Sequence, residues 1–238
     1  MRILISAPLR QDVDIFLEYQ NSLDRLVIPA GVEVDRYFVV NDCPEVIPYI
    51  RGEYSIINTN DEYRKTENDH LWTGANLSKM SVLRNRIIDK AIDYDYLFSI
   101  DTDLILHPET LRTLLDADKD IVSEIFFTNE WCNAWDYDQY SPIRPEWRTE
   151  GLYQVGMTGA CTLIKNKVLK AGVNYSPIPN IQYLRGEDRY FCVRAACHGF
   201  EMWVDTKFPA RHLYTREEYD DYRRSKNDIR VQYQHKRN

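Results

Sequence analysis

The sequence predicts an α/β protein whose mostly parallel central sheet is flanked by helices. Short apolar segments alternate with segments of helical spacing over the first half of the chain, as in a parallel sheet covered on both faces. Hydrophobic residues make up 44% and charged residues 28% of the 238 residues, which is typical of a globular chain. No repeat or low-complexity segment divides the sequence, so one domain is expected.

The elements of the first half follow from this alternation. The apolar run Arg2–Ala7 ends at Pro8 and predicts a buried first strand with a loop behind it. Apolar residues at helical spacing predict helices over 12–26 and 77–92, and a third helix starts near Pro108, a residue favoured in first turns. Further strands are predicted at 34–40, 54–57 and 95–100.

The second half is less regular. Residues 128–150 combine tryptophan, tyrosine and proline and are predicted to form a long aromatic loop. The rings of Trp131 and Trp135 suit stacking on sugars, although a core or a protein interface would also use them, and the prolines favour an exposed binding surface. Strands are predicted at 153–157, 160–164 and 200–204, and a helix at 187–197.

Three polar segments follow predicted strands: Ala7–Arg10, Asn41–Asp42 and Asp101–Asp103. Ligands of parallel sheets bind beyond the carboxyl ends of the strands, so we expect these segments to line one crevice. Arg10 lies in the first segment, and together with Lys79 and Arg84 it is a candidate cation for the phosphates of a nucleotide. Each of these three side chains could equally be a surface charge.

Asp101 and Asp103 stand two residues apart directly after an apolar strand, so both carboxylates can share a divalent cation. Oxygen ligands suit Mg²⁺ or Mn²⁺, which in turn neutralises a diphosphate. The motif also occurs in solvated turns that cap helices, and by itself it does not separate the two interpretations. His212 follows a predicted strand; it could be structural, or an imidazole ligand, which is more natural for Mn²⁺ than for Mg²⁺.

A second acidic motif, Gly186–Asp188, opens a predicted helix. Glu187 and Asp188 would lie at the positive end of the helix dipole, where anions are stabilised. The spacing alone favours residues that cap and charge the first turn. The functional alternative is a general base presented at the start of the helix.

The order of these motifs resembles the GT-A fold glycosyltransferases, especially the non-processive, family 2-like kind. Asp101–Asp103 after a strand, then Gly186–Asp188 and finally His212 follow the order of that family. Leu83–Ile88 is similar to the Arg-Asn helix of the family, which precedes its Asp-x-Asp motif. The resemblance covers roughly residues 2–214.

The resemblance implies a fold, a cofactor and a set of sites. It implies a single GT-A, Rossmann-like domain over 1–214 and a Mn²⁺ or Mg²⁺ cofactor, while the charged composition of 215–238 predicts a helical tail. Together with the candidates above, it places the nucleotide-sugar donor at Pro8, Arg10, Asp42, Lys79, Arg84, Asp101 and Thr102. The metal is assigned to Asp101, Asp103 and His212, the catalytic base to Asp188, and the acceptor side to Trp131, Trp135 and Glu187.

Two departures from the family pattern bear on the reaction. The usual Thr- and Ser-rich opening is replaced by Ala7–Arg10, so the donor is left open, with a UDP-sugar favoured over a GDP-sugar. The Gln-x-x-Arg-Trp motif of processive synthases is absent. Transfer of one sugar to a carbohydrate or other hydroxyl acceptor is therefore expected, and the assignment of Asp188 as catalytic base implies inversion.

Two other functions stay open on the sequence. A sugar-nucleotide nucleotidyltransferase is also metal-dependent, but it usually carries a glycine-rich loop with a lysine after the first strand, and Ala7–Arg10 has no glycine. A non-catalytic carbohydrate-binding protein on the same fold is the second alternative. Against it stand four intact polar positions: Asp101, Asp103, Asp188 and His212.

The bulk properties limit partners and location. A net charge of −7 does not suit nucleic-acid binding. No run of 18 apolar residues is present, so no membrane span is predicted. The five cysteines are scattered without a C-x-x-C pair, which favours a reduced, cytoplasmic compartment.

Overall fold

The computed structural model describes most of the chain and shows the predicted α/β architecture. The described residues are 1–59, 73–128, 131–137, 145–180 and 186–235, with side chains up to residue 226. Within them the strands are β1 (Arg2–Leu9), β2 (Glu33–Val40), β3 (Glu53–Ile56), β4 (Tyr96–Ser99), β5 (Leu104–Ile105), β6 (Ile121–Thr128), β7 (Trp131–Cys132), β8 (Ala134–Trp135), β9 (Leu152–Val155), β10 (Met157–Thr158), β11 (Thr162–Lys165) and β12 (Met202–His212). The helices are α1 (Val13–Leu23), α2 (Gly74–Ala91), α3 (Thr110–Asp116), α4 (Asn166–Lys170), α5 (Glu187–Cys197) and α6 (Arg216–His235).

The central sheet is mostly parallel, as predicted. Its strand order is β3-β2-β1-β4-β11-β6-β12-β5, with β7 added beside β6 and β9 beside β12. Strands β1 to β4 run parallel, and β12 runs parallel to β6. Strand β11 is antiparallel to both of its neighbours, β4 and β6. The carboxyl ends of β1, β2, β4, β6 and β12 therefore point to the same edge of the sheet.

Helices cover both faces of this sheet, so its central strands are apolar on both sides. Successive side chains of a strand point to opposite faces, and in β1 Leu4 belongs to one core cluster and Ile5 to the other. Helices α2 and α5 contribute Leu83 and Phe191 to the first cluster, and α1 contributes Phe16 to the second. Each fully buried side chain of this kind stabilises the fold by about 1.5–3 kcal/mol.

Two sequence-based predictions of secondary structure are wrong. Residues 128–150 are not one loop: β7, β8 and a 3-10 turn at Pro145–Arg148 form within them, while 129–130 and 138–144 lie outside the described residues. The strand predicted at 200–204 runs on to His212, because a register shift after Asp205 lets the chain pass Pro209 and pair again.

The charged C-terminal segment forms the helix α6, and its first turns pack on the rest of the protein. Tyr219 and Tyr222 of α6 are buried in a cluster with Ile15, Ile105 and Leu213. Within the described residues, no helix combines the length and apolar character needed to cross a bilayer.

Candidate active site

The first two polar strand ends meet at the carboxyl edge of the sheet. Leu9 at the end of β1 is in register with Val40 at the end of β2, and Arg10 Nη1 lies 4.0 Å from Asp42 Oδ2. Asp42 has a left-handed backbone (φ 49°), and its Oδ1 accepts a 2.9 Å hydrogen bond from the backbone N–H of Thr59. The carboxylate of Asp42 therefore holds this corner in shape.

At the third strand end, Asp101 lies beside a buried arginine of α2 and two carboxylates of α5. Arg84 of α2 has only 3% of its side chain exposed. Its Nη2 donates to Asp101 Oδ1 at 2.9 Å, and its Nε donates to Glu187 Oε1 at 3.1 Å. Asp188 Oδ1 lies 3.8 Å from Nε, and the hydroxyl of Ser99 lies 3.4 Å from Nη1. One guanidinium thus links α2, the end of β4 and the start of α5.

The electrostatics of this cluster favour a charged arginine. Burial lowers the pKa of Arg84, but Asp101, Asp188 and Glu187 raise it more, so the pKa lies well above its ordinary value. The ring of Tyr175 lies 5.6 Å from the guanidinium carbon and closes the cluster from another side. A buried cation with this many anionic neighbours fixes their positions, because removing it would leave uncompensated charges.

Asp188 is the member of this cluster that combines exposure with a raised pKa. A quarter of its side chain is exposed, against 6% for Glu187. Burial, only partly offset by Arg84, raises the pKa of Asp188 to about 7. Gly159 packs so closely against this carboxylate that any side chain there would collide with it. Asp188 is thus held in place and can exchange a proton near neutral pH.

A second pair of polar groups lies at the same edge. His212 Nε2 is 3.5 Å from Asp103 Oδ2, with about a tenth of each side chain exposed. The Nδ1 atom of His212 is 2.7 Å from the hydroxyl of Thr128, and Leu213 N–H donates to the backbone oxygen of Asp103 at 2.8 Å. Burial lowers the pKa of His212, but the charge of Asp103 outweighs it, and the pKa is raised.

The Asp103–His212 pair fits a divalent cation whose remaining coordination positions are filled by water and substrate oxygen atoms. Two ligands that are each about 2.1 Å from one ion can be at most about 4.2 Å apart, and the observed 3.5 Å meets this condition. No group of three or more ligating side chains was found within the described parts of the chain. Magnesium-type sites commonly use one or two carboxylates together with waters and substrate phosphates.

The other predicted donor residues lie around this edge in different environments. Pro8 is the penultimate residue of β1, Lys79 is half-buried in α2, and Thr102 is buried between the two aspartates of its motif. The exposed acceptor candidate is Trp131, with 66% of the residue accessible. Trp135 is half-buried and packs against the core.

Two predicted roles do not fit the observed positions. Arg84 was expected to approach the nucleotide, but its nitrogen atoms bond to the carboxylates of Asp101 and Glu187, and only 3% of its side chain is exposed. Glu187 was expected on the acceptor side, but it is 5% exposed and bonded to Arg84. Both side chains are buried for the same reason, since each compensates the charge of the other.

Four further residues of the site are missing from the sequence-based set: Ser99, Thr128, Gly159 and Tyr175. Thr128 ends an apolar run that begins at Ile121, and that run is a signal for the strand that presents the threonine to His212. Gly159 separates two strand-like segments, which marks a close approach of backbone and neighbour. Ser99 and Tyr175 carry no such signal, because their role depends on where Arg84 is buried.

Comparison with known proteins gives the fold. The chain matches no protein-family model, and no curated protein is significantly similar to it. Solved structures are similar to it at low identity: S. aureus TarS in complex with UDP-GlcNAc (TM-score 0.57, 13% identity, 92% of this chain and 61% of that one) and the Pyrobaculum calidifontis mannosyltransferase PcManGT with GDP-Man and Mn²⁺ (TM-score 0.56, 10% identity, 93% and 59%). GalNAc-T7 with UDP, GalNAc and Mn²⁺ is a third (TM-score 0.62, 12% identity, 90% and 44%).

These similarities establish the GT-A fold for the chain, which is the fold that the sequence resemblance implied. The chain spans about three fifths of the length of the TarS and PcManGT structures. Identities of 10–13% define the architecture and leave the reaction to be argued from the side chains of this chain.

Proposed function

We propose that this protein is a metal-dependent glycosyltransferase that moves one sugar from a nucleotide donor to a hydroxyl acceptor with inversion. One observation carries the proposal. The Asp103–His212 pair and the Arg84-held carboxylates of Asp101 and Asp188 converge at the carboxyl edge of a GT-A sheet, where ligands of such sheets bind. The structural neighbours in complexes with UDP-GlcNAc and GDP-Man support a nucleotide-sugar donor.

The donor would lie along the ends of β1, β2 and β4. Pro8, Arg10 and Asp42 would line the nucleotide pocket, and Lys79 and Thr102 would complete it. Arg10 is only 4.0 Å from Asp42, so the two would act as one corner that positions the nucleotide. A UDP-sugar is the favoured donor, with a GDP-sugar as the alternative.

Asp103 and His212 would hold Mn²⁺ or Mg²⁺ together with the donor diphosphate, and Asp101 would contribute from the same loop. When bound, the cation would neutralise the charge that develops on the leaving diphosphate. Mn²⁺ is favoured because an imidazole is one of the ligands, and PcManGT and GalNAc-T7 were solved with Mn²⁺. Thr128 fixes the imidazole through Nδ1, which leaves Nε2 directed at Asp103.

Asp188 would act as the general base. Its carboxylate would take the proton from the acceptor hydroxyl as that oxygen attacks the anomeric carbon, and the bond to the nucleoside diphosphate would break on the opposite face. One displacement of this kind inverts the anomeric centre. With a pKa of about 7, Asp188 is basic enough to accept the proton and is still largely ionised just above neutral pH.

Arg84 would serve as a positioning residue rather than as a phosphate ligand. It bonds to Asp101 beside the proposed metal site and lies against Asp188, the proposed base. Arg84 would therefore fix the distance between these two carboxylates. Glu187 would neutralise Arg84 and hold it against α5. This arrangement keeps both reactive carboxylates oriented before substrates arrive, which is the condition for efficient catalysis.

The acceptor would bind on the side of β7 and β8. Trp131 is exposed and available for stacking, whereas Trp135 is half-buried and supports that surface. Trp131→Ala is therefore expected to weaken acceptor use far more than donor binding. Trp135→Ala is expected to lower the stability of the fold as well.

The proposed function is tested by ligand-induced stabilisation. A ligand that binds only the folded state raises the unfolding temperature, so UDP- and GDP-sugars should be screened with Mn²⁺ and again with a chelator. We expect stabilisation by at least one nucleotide sugar with Mn²⁺, none with the chelator, and slow release of the nucleotide from that donor. Stabilisation by none of the donors would contradict the proposal.

A further inference from the structure

Two arginines are stacked on aromatic rings beside the proposed acceptor position. The guanidinium carbon of Arg148 lies 5.1 Å from the ring centre of Phe127, and that of Arg189 lies 5.4 Å from the ring centre of Trp135. We call these four residues the aromatic–arginine face.

The face lies between the two reactive ends of the site. At one end, Thr128 directly follows Phe127 in β6 and places its hydroxyl 2.7 Å from His212. At the other end, the strand pair β8–β10 leads into Gly159, which packs against Asp188. Arg189 directly follows Asp188 in the first turn of α5. An acceptor hydroxyl presented to Asp188 would therefore bring the rest of the acceptor onto this face.

Within the described residues, Arg148 and Arg189 form no ion pair. Neither guanidinium has a carboxylate within ion-pair distance there, whereas Arg10, Arg36, Arg51, Arg84 and Arg216 each have one. Arg211 and Arg223 also lack such a partner within the described residues, but they stack on tyrosine rings of α6. A guanidinium stacked on a ring keeps the N–H groups of its edge available, and that edge matches the oxygen atoms of a carboxylate or phosphate.

We propose that the acceptor is an anionic chain, with a phosphate or carboxylate group close to the hydroxyl that receives the sugar. This inference rests on the proposed function for the position of the acceptor. Aromatic rings contact the sugar or polyol carbons, and Arg148 and Arg189 bind the anionic groups on either side. Phosphate and carboxylate share the chemistry that the two arginines recognise, so the experiment must separate them.

The test measures binding of three oligomers of equal length without any donor, by calorimetry. The oligomers are maltohexaose, which is neutral, hexagalacturonate, which carries carboxylates, and a glycerol-phosphate hexamer. We expect at least one anionic oligomer to bind about tenfold or more tightly than maltohexaose. The preference should shrink when salt is raised from about 0.05 M to about 1 M, because the Debye length falls. The better of the two anionic oligomers identifies the group.

The variants are Arg148→Gln and Arg189→Gln, each expected to weaken anionic binding about tenfold, with Arg→Lys at both positions expected to restore part of it. Lys119→Gln is the matched control, since Lys119 is also stacked on a ring, 3.9 Å from the centre of Trp203, but at the other end of the sheet. Thermal unfolding of each variant confirms that it is folded.

Equal or tighter binding of maltohexaose, undetectable binding of all three oligomers, or unchanged affinity in both glutamine variants would overturn the inference. Failure of the proposed function has a different signature. In that case no nucleotide sugar stabilises the protein, while the anionic oligomers still bind and still depend on Arg148 and Arg189.

Discussion

Two carboxyl groups with raised pKa values, one at the edge of the sheet and one within it, behave in different ways. Asp188 lies beside Arg84 at the carboxyl edge, and its pKa is raised to about 7. Glu124 lies in the middle of β6 and is fully buried, and burial together with the charge of Asp205 raises its pKa to about 9. Its Oε1 accepts a 3.3 Å hydrogen bond from Phe208 N–H, and its Oε2 has no hydrogen-bond partner among the described residues.

The difference is made by one cation. Arg84 lowers the pKa of Asp188 against the effect of burial, so this carboxylate can be charged at the pH where it would work. No cation is among the groups that shift the pKa of Glu124, and the group stays protonated at neutral pH. Burial alone therefore produces a neutral structural carboxylic acid, and burial beside an arginine produces a candidate base.

The largest effect is expected from Asp188→Asn. The change keeps the size of the side chain but removes the base, which should lower the transfer rate by about 10²–10⁴-fold while donor affinity barely changes. In the wild-type protein the rate should rise with pH through about 7, and this rise should disappear in the variant. Rates of nucleotide release between acidic and alkaline pH measure both. Near-normal turnover, or a product with retained configuration, would exclude Asp188 as the base.

Loss of the Arg84 guanidinium is expected to lower the free energy of unfolding. Arg84→Leu leaves Asp101, Glu187 and Asp188 without compensation, and removing one partner of a buried ion pair typically costs about 3–5 kcal/mol. Arg84→Lys keeps a charge but not the planar fork, so it should recover part of the stability and less of the activity. Urea unfolding measures the first effect and the transfer rate the second. A leucine variant as stable as wild type would show that Arg84 does not hold this cluster together.

The third prediction concerns Glu124, the carboxyl group without a neighbouring cation. The folded-state pKa of Glu124 is about 9, above its ordinary value of 4.5. Its contribution to stability is therefore fully present below 4.5 and is lost as the pH rises toward about 9. Glu124→Gln has the shape of the protonated acid but does not titrate, so it should raise the free energy of unfolding at pH 7 by about 2–3 kcal/mol relative to its effect at pH 4.

Unfolding curves of Glu124→Gln at the two pH values measure this difference. The matched control is Glu201→Gln, because Glu201 is exposed beside the same strands and should leave the pH dependence unchanged. Equal effects of Glu124→Gln at both pH values would mean that Glu124 has an ordinary pKa and that the comparison with Asp188 fails.

Much of the fold could be predicted because its signals are local. The alternation of apolar strands and helices predicts the parallel sheet, and the position of Asp101 and Asp103 directly after a strand predicts the edge at which they lie. The strand Ile121–Thr128 is missing from the sequence prediction, although its apolar residues on both sides of Glu124 are a signal for it. A buried neutral carboxylic acid looks the same in sequence as a charged surface residue.

The hydrogen bonds and ion pairs of the candidate site could not be predicted, because they join distant parts of the chain. Arg84 and Glu187 are 103 residues apart, and an arginine on an amphipathic helix gives no sign of whether it is buried. The sequence therefore named Asp101, Arg84 and Glu187, which lie beside Asp188 in the structure, but it assigned Arg84 and Glu187 to ligands instead of to each other.

The most direct measurement is the affinity for the stabilising nucleotide sugar, by calorimetry, with Mn²⁺ and with a chelator. Wild-type protein should bind the donor only with Mn²⁺, because an acidic site repels a diphosphate until a cation is present. Asp103→Ala should lose this metal-supported binding and remain folded, whereas Asp116→Ala, which removes an exposed carboxylate of α3, should bind normally. Unchanged donor affinity in the chelator, or full Mn²⁺-dependent binding by Asp103→Ala, would contradict a metal-dependent donor site at this edge.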